Sequence, residues 1–316
     1  FYMSNGLIPL RDSNYNWKLT LPGNSSKTKT NGYFGFKDLP KLENPISGYI
    51  FNTNNSPFNC TEKSSNLKEE NFPKSFGYRE NFNNRSLRFE KLIDSYDKIN
   101  YEDFLKIKYD QEYANPIFCP FKINKIFEVT FNDSCEVADI LYLINSWDRK
   151  ANVDNIGAAQ FSIFYKNLRK KLKKINFDFD SEIPDSLLLE SLQKTKNQIL
   201  RSFDKINISL GEYQKHVRAD VEIPIGGLVD MIAESSSSIY IDGKVKVVKG
   251  DSYIMLVKFG DELPEIETVL PYGISNRAKS PHFTDQMSLY ATQKRKKMTL
   301  DKTEIYQNAS NIYHPK

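Results

Sequence analysis

An asparagine N–H aimed at a reacting carbonyl oxygen stabilises the negative charge that develops there, without the protein having to supply a charge of its own. The stretch SGYIFNTNNSPF, residues 47–58, places three such side chains close together: Asn52, Asn54 and Asn55. Amides are poor strand formers and costly to bury unpaired, so their position directly after the apolar, strand-like run at 49–51 demands partners. The residues alone leave two readings open. One is a neutral oxyanion donor at the end of a strand; the other is a group of side chains that bond neighbouring backbone in Asx turns before Pro57.

Other chemistries find less support. His216, His282 and His314 stand in three unrelated contexts, so spacing offers no histidine-based triad, and no Gly-x-Ser-x-Gly elbow accompanies them. The paired glycines fall in turns and match neither a phosphate-binding loop nor a dinucleotide fingerprint. Cys60, Cys119 and Cys135 are too few and too scattered for a disulfide framework, and no Cys or His spacing suggests zinc. Neither cofactor nor metal is expected.

The formal charge of +4, from 44 Lys and Arg against 40 Asp and Glu, is spread along the chain apart from KNLRKKLKK at 166–174 and KRKK at 294–297. Inside amphipathic helices such runs are solvated faces, so no nucleic-acid partner is expected. No stretch of about 18 apolar residues occurs, which argues against a membrane-spanning helix. The start FYMSNGLIPLRDS has neither the charged region nor the apolar core of a signal peptide.

The elements that must position the amides follow from periodicity. Residues 1–60 are rich in Gly, Pro and Asn and read as irregular chain over a core. From 85 to 110 the pattern is helical, with Leu87, Leu92 and Ile93 on one face and Asn100 with Asp103 resembling a cap. Val137, Ile140, Leu141, Ile144 and Trp147 follow helix spacing, as do Phe161, Phe164, Leu168 and Leu172, and 187–203 is another helix. Asp242-Gly243 between two β-rich runs predicts a hairpin, SYIMLVKFG a buried strand, and 283–306 a helical end. A single α+β domain over 1–316 is the expected organisation.

The order NGLIPLR, W…LPGNSS, GYFGFKDLPKLENPISGYIFNTNNSPF and NNRSLRFEKLI resembles the β subunit of the penicillin acylase family of N-terminal-nucleophile hydrolases, in particular its acyl-homoserine-lactone and lipopeptide acylase branch. LINSWDRKANVDNIGAAQF, GDSYIMLVKFG and LPYGISNRAKSPHFTDQMSLYATQKRKKMTL continue that resemblance in the same order, so it covers nearly the whole chain. It implies part of a four-layer αββα sandwich of two antiparallel sheets between helices, and hydrolysis of a linear acyl amide without a cofactor.

It also assigns residues. The asparagine two places before Ser-Pro donates its side-chain N–H to the oxyanion, which falls on Asn54. An arginine at the head of the following helix holds that asparagine and the nucleophile's amino group, which falls on Arg85. Asn52 becomes a supporting partner and Asn55 a turn residue, while Trp147-Asp148 and His282-Asp285 fall in matching segments with no chemical role assigned. The nucleophile in such enzymes is residue one of the β subunit after autocleavage. Here residue one is Phe1, and Ser4 falls in what reads as mid-subunit sequence, so the resemblance places the nucleophile, the α subunit and the acyl pocket upstream, and implies export to the periplasm or outside the cell. The alternatives are a non-catalytic binding or assembly protein on the acylase scaffold, or a subunit completed by a separate chain.

Overall fold

Apolar residues three and four apart raise most of the helices, and the glycine- and asparagine-rich start stays irregular. The computed structural model describes residues 2–3, 6–17, 19–78, 81–132 and 134–314, so Phe1 and Ser4 lie outside the described residues. The chain divides into two compact units, 1–94 and 95–316.

In the first unit, β1 (Tyr2–Met3) pairs antiparallel with β2 (Lys41–Leu42), short 3-10 turns follow, and helix α1 (Asn84–Ile93) ends the unit. Ile8, Leu39 and Phe76 are buried against Phe34, Phe72 and Tyr78. The run 49–51, expected to be strand-like, is not a strand. Phe51 N–H donates 2.8 Å to the Cys60 carbonyl, so the segment closes a loop on itself instead of joining a ladder.

The second unit begins with α2 (Tyr101–Lys108), capped as expected by Asn100, whose side chain accepts from Asp103 N–H at 2.9 Å. Helices α3 (Ala138–Asn145), α4 (Ala158–Lys174) and α5 (Asp185–Phe203) follow. Phe161, Phe164, Leu168 and Leu172 face Leu188, Leu192 and Ile199 in the main core, joined by Ile140, Ile144 and Trp147. Each such side chain contributes about 1.5–3 kcal/mol by leaving water. At the head of α4, Gly157 N–H donates to Gln160 Oε1 (2.8 Å), and the buried Gln160 amide donates to the Ile206 and Ile208 carbonyls (2.7 and 3.0 Å).

After the short α6 (Leu210–Tyr213) come β3 (Gln214–Arg218), β4 (Val221–Pro224), β5 (Ser235–Ile239) and β6 (Val245–Gly250), in the sheet order β4-β3-β6-β5. Two antiparallel hairpins make this sheet, and they meet in one parallel pairing, Gln214 opposite Val245 and Lys215 opposite Lys246. The parallel seam departs from the all-antiparallel expectation because each hairpin contributes its neighbouring strand in the same direction. The predicted turn is present: Asp242 (φ 49°) and Gly243 (φ 75°) are both left-handed, and Lys244 N–H donates to the Ile241 carbonyl at 2.9 Å.

A second sheet contains β7 (Ile254–Lys258) and β8 (Glu265–Val269), followed in the chain by α7 (Met287–Ala291), then β9 (Lys296–Met298) and α8 (Lys302–Asn308), with the order β7-β8-β9. Ile254, Leu256 and Val269 pack on Tyr101, Leu105 and Tyr109. Two expectations are corrected. β7 is buried on one face only, with Met255 49% exposed, because α2 covers a single side; and the expected helical end contains β9, which the β8 edge recruits opposite Ile266–Thr268. All three cysteines are free thiols, and no helix of the described residues is long and apolar enough to cross a membrane. The architecture is α+β.

Candidate active site

The three asparagines of the opening stretch have different jobs. Asn52 Oδ1 accepts the Asn54 backbone N–H at 2.8 Å, and Asn55 Oδ1 accepts Thr53 N–H at 2.6 Å and Thr53 Oγ1 at 3.0 Å. The Asn55 amide donates to the Asn59 carbonyl. These two are Asx-type supports that satisfy loop backbone. Asn54 differs: its backbone is left-handed (φ 63°), a conformation Asn tolerates, and its side chain stands at the surface.

Arg85, at the head of α1, donates from Nη1 to Asn54 Oδ1 at 3.0 Å. A guanidinium can only donate, so this contact fixes which end of the carboxamide is oxygen and turns the NH₂ the other way. Among the described residues none accepts from Asn54 Nδ2. Hydrogen bonding of the amide oxygen to a cation also polarises the group and sharpens its N–H donors. What results is a neutral, oriented, solvent-facing donor.

The loop is bolted to α1 at two further points that the sequence reading missed. Asn83 caps the helix, its Oδ1 accepting Ser86 N–H at 2.8 Å, while its Nδ2 donates to the Thr53 carbonyl at 2.9 Å. Phe51 stacks on Phe89 of α1 with centroids 4.2 Å apart. The signal for Asn83 was present as Asn followed three places later by Ser at a helix start. Its second bond, to a residue 30 positions away, has no local signature.

Burial holds the thiol and phenol groups near the loop in their neutral forms. Burial pushes the Cys60 thiol up to about 11, so it stays protonated and is no nucleophile. Burial raises Tyr49 to about 12, and Tyr2 is also raised by burial. Histidines and the other matching segments lie in the second unit. Trp147 is buried and donates to the Lys150 carbonyl at 2.7 Å, and Asp148 accepts from Lys150 N–H and Asn155, both at 2.9 Å, which is loop structure. His282 Nδ1 lies 2.8 Å from Asp285 Oδ2 at the surface. His216 is buried between Tyr272 and Tyr290, and His314 is exposed.

The family profile of penicillin amidase matches residues 1–307. The chain belongs to the penicillin amidase family. Among curated proteins, this family member is 23% identical over 166 residues to the acyl-homoserine lactone acylase PvdQ of Pseudomonas fluorescens (strain Pf0-1), a match spanning 47% of this chain and 21% of that protein. Among solved structures it resembles a thermostable penicillin G acylase from Alcaligenes faecalis, with a TM-score of 0.55 and 14% identity over 100% of this chain and 66% of the other. That likeness shows the fold, the α+β architecture of a penicillin acylase. In both matches the penicillin amidase chain spans less than two thirds of its relative.

Proposed function

We propose that the protein containing this chain hydrolyses linear acyl amides, with an acyl-homoserine lactone or a lipopeptide as substrate in preference to a penicillin. The Arg85–Asn54 bond at 3.0 Å carries this reading, because it presents a carboxamide N–H in a fixed orientation to an incoming carbonyl. The curated relative's name, an acyl-homoserine lactone acylase, supports the substrate class.

In this mechanism an upstream N-terminal serine hydroxyl attacks the amide carbon, and its own α-amine takes the proton directly or through water. Charge builds on the carbonyl oxygen, and Asn54 Nδ2 donates to it. Collapse of the tetrahedral intermediate expels the amine, and water releases the acyl group. Arg85 and Asn52 are positioning residues, one holding the Asn54 side chain and the other its backbone N–H. Residues 1–316 act as one domain completed by an upstream β segment and an α subunit, in an exported enzyme.

The test is Asn54→Ala in the complete enzyme. One oxyanion donor is worth roughly 10²- to 10³-fold in kcat. We expect a loss of that size with folding retained; unchanged kcat sinks the assignment of Asn54, whereas a complete wild-type protein that hydrolyses no acyl amide leaves the non-catalytic scaffold as the reading.

A further inference from the structure

The second unit contains a groove of about 1240 Å³ between α4, α5 and the β5–β6 hairpin, larger than most small-molecule sites. Its apolar surface comes from Val137, Ile163, Leu189, Tyr213, Ile239 and Val245. Helical spacing puts Lys166 and Lys170 on one wall, and Lys194 and Arg201 on the other.

These cations differ from their neighbours. Lys171 on α4 pairs with Glu190 at 2.6 Å, and Lys196 on α5 with Asp139 at 2.8 Å. Lys166, Lys170, Lys194 and Arg201 have no carboxylate within ion-pair reach among the described residues. Of the two acidic residues lining the groove, Glu136 and Glu190, the second is already bound to Lys171. The groove is therefore apolar in its walls and positive in its field.

Of the four, Lys166 touches neutral groups of the groove. Its Nζ lies 3.3 Å from both Tyr213 Oη and Ser237 Oγ, and 5.4 Å from the Tyr213 ring centroid. Water reaches the side chain along the groove, yet the surrounding protein desolvates the amine and lowers its pKa to about 8. It remains mainly protonated at neutral pH, a cation held by neutral partners only.

We propose that this groove binds an anionic amphiphile, with an alkyl chain along its apolar walls and a carboxylate head on Lys166. The mainly apolar surface disfavours a purely polar anion, and the unpaired cations disfavour a neutral or cationic lipid. The inference stands independently of the chemistry proposed for Asn54.

Acetylation of Lys166 in the assembled enzyme, followed by peptide mass spectrometry, locates binding at this groove and not at the acyl site. Sodium decanoate is expected to slow Lys166 acetylation about tenfold or more, a charged hydrogen bond's worth, while the exposed Lys296 is unaffected and decyltrimethylammonium gives no protection. By calorimetry Lys166→Met should lose one decanoate site and Lys166→Arg should keep it. Equal protection by the cationic amphiphile overturns the proposal, as does an unchanged decanoate stoichiometry in Lys166→Met. So does a Lys166 that reagent and decanoate both fail to reach, the result expected where another polypeptide fills the groove.

Discussion

Asn83 divides its carboxamide between two elements: the oxygen accepts from Ser86 N–H at 2.8 Å and caps α1, and the nitrogen donates to the Thr53 carbonyl at 2.9 Å. The residue before Asn54 is thus tied to the helix that carries Arg85. Asn83→Asp keeps an acceptor for the cap but has no donor for Thr53. We expect thermal stability near wild type and a fall in kcat, whereas Asn83→Ala should also lose about 1 kcal/mol of stability. Equal kcat in wild type and Asn83→Asp would show that the loop holds its shape without this bond.

Arg85→Lys keeps the charge and removes the planar fork. If Arg85 orients Asn54, kcat should drop about tenfold with KM little changed, since an interaction made in the transition state is being weakened. A raised KM at constant kcat would instead assign Arg85 to substrate binding.

Gly157 precedes α4 with φ +105°, and a Cβ there would stand 2.6 Å from Trp147 Cβ and 2.9 Å from the Leu143 carbonyl oxygen. Both the backbone conformation and the close approach require glycine. Gly157→Ala should cost about 2 kcal/mol or more, seen as a lowered melting temperature. A melt identical to wild type would mean that the head of α4 and Trp147 can separate freely.

His216 is buried, its Nε2 bonded to the Pro271 carbonyl and its Nδ1 without a partner among the described residues, and burial lowers its pKa below the ordinary 6.5. The unfolded chain therefore takes up this proton at higher pH than the folded one. Stability from this group is complete above the unfolded value and declines as pH falls from there towards the folded value. Comparing unfolding free energies at about pH 7 and about pH 5, wild type should lose more than His216→Phe does. The same loss in both proteins would remove His216 as the cause.

Helices were legible because their signal is local: Phe161, Phe164, Leu168 and Leu172 share a face whatever they pack against, and all are buried. The Asp242-Gly243 turn was legible for the same reason, since left-handed backbone at two successive positions restricts the residues. Strands were less so. An apolar triplet at 49–51 becomes a strand only if a partner edge exists, and β9 exists only because β8 offers one. At the candidate site, Asn54 and Arg85 came from resemblance, and no pattern in the sequence alone joins residues 31 apart. The division of labour among Asn52, Asn54 and Asn55 depends on loop backbone, which residue types do not encode.

The parallel seam of the four-stranded sheet has a kinetic consequence. Each hairpin can close early from residues near in sequence, but the seam between Gln214–Lys215 and Val245–Lys246 waits for some thirty intervening residues to be ordered. With only two residue pairs in register, it is also the place where the sheet opens at least cost. Hydrogen exchange would find two separately breathing halves there, each keeping its own ladder while the line between them comes apart.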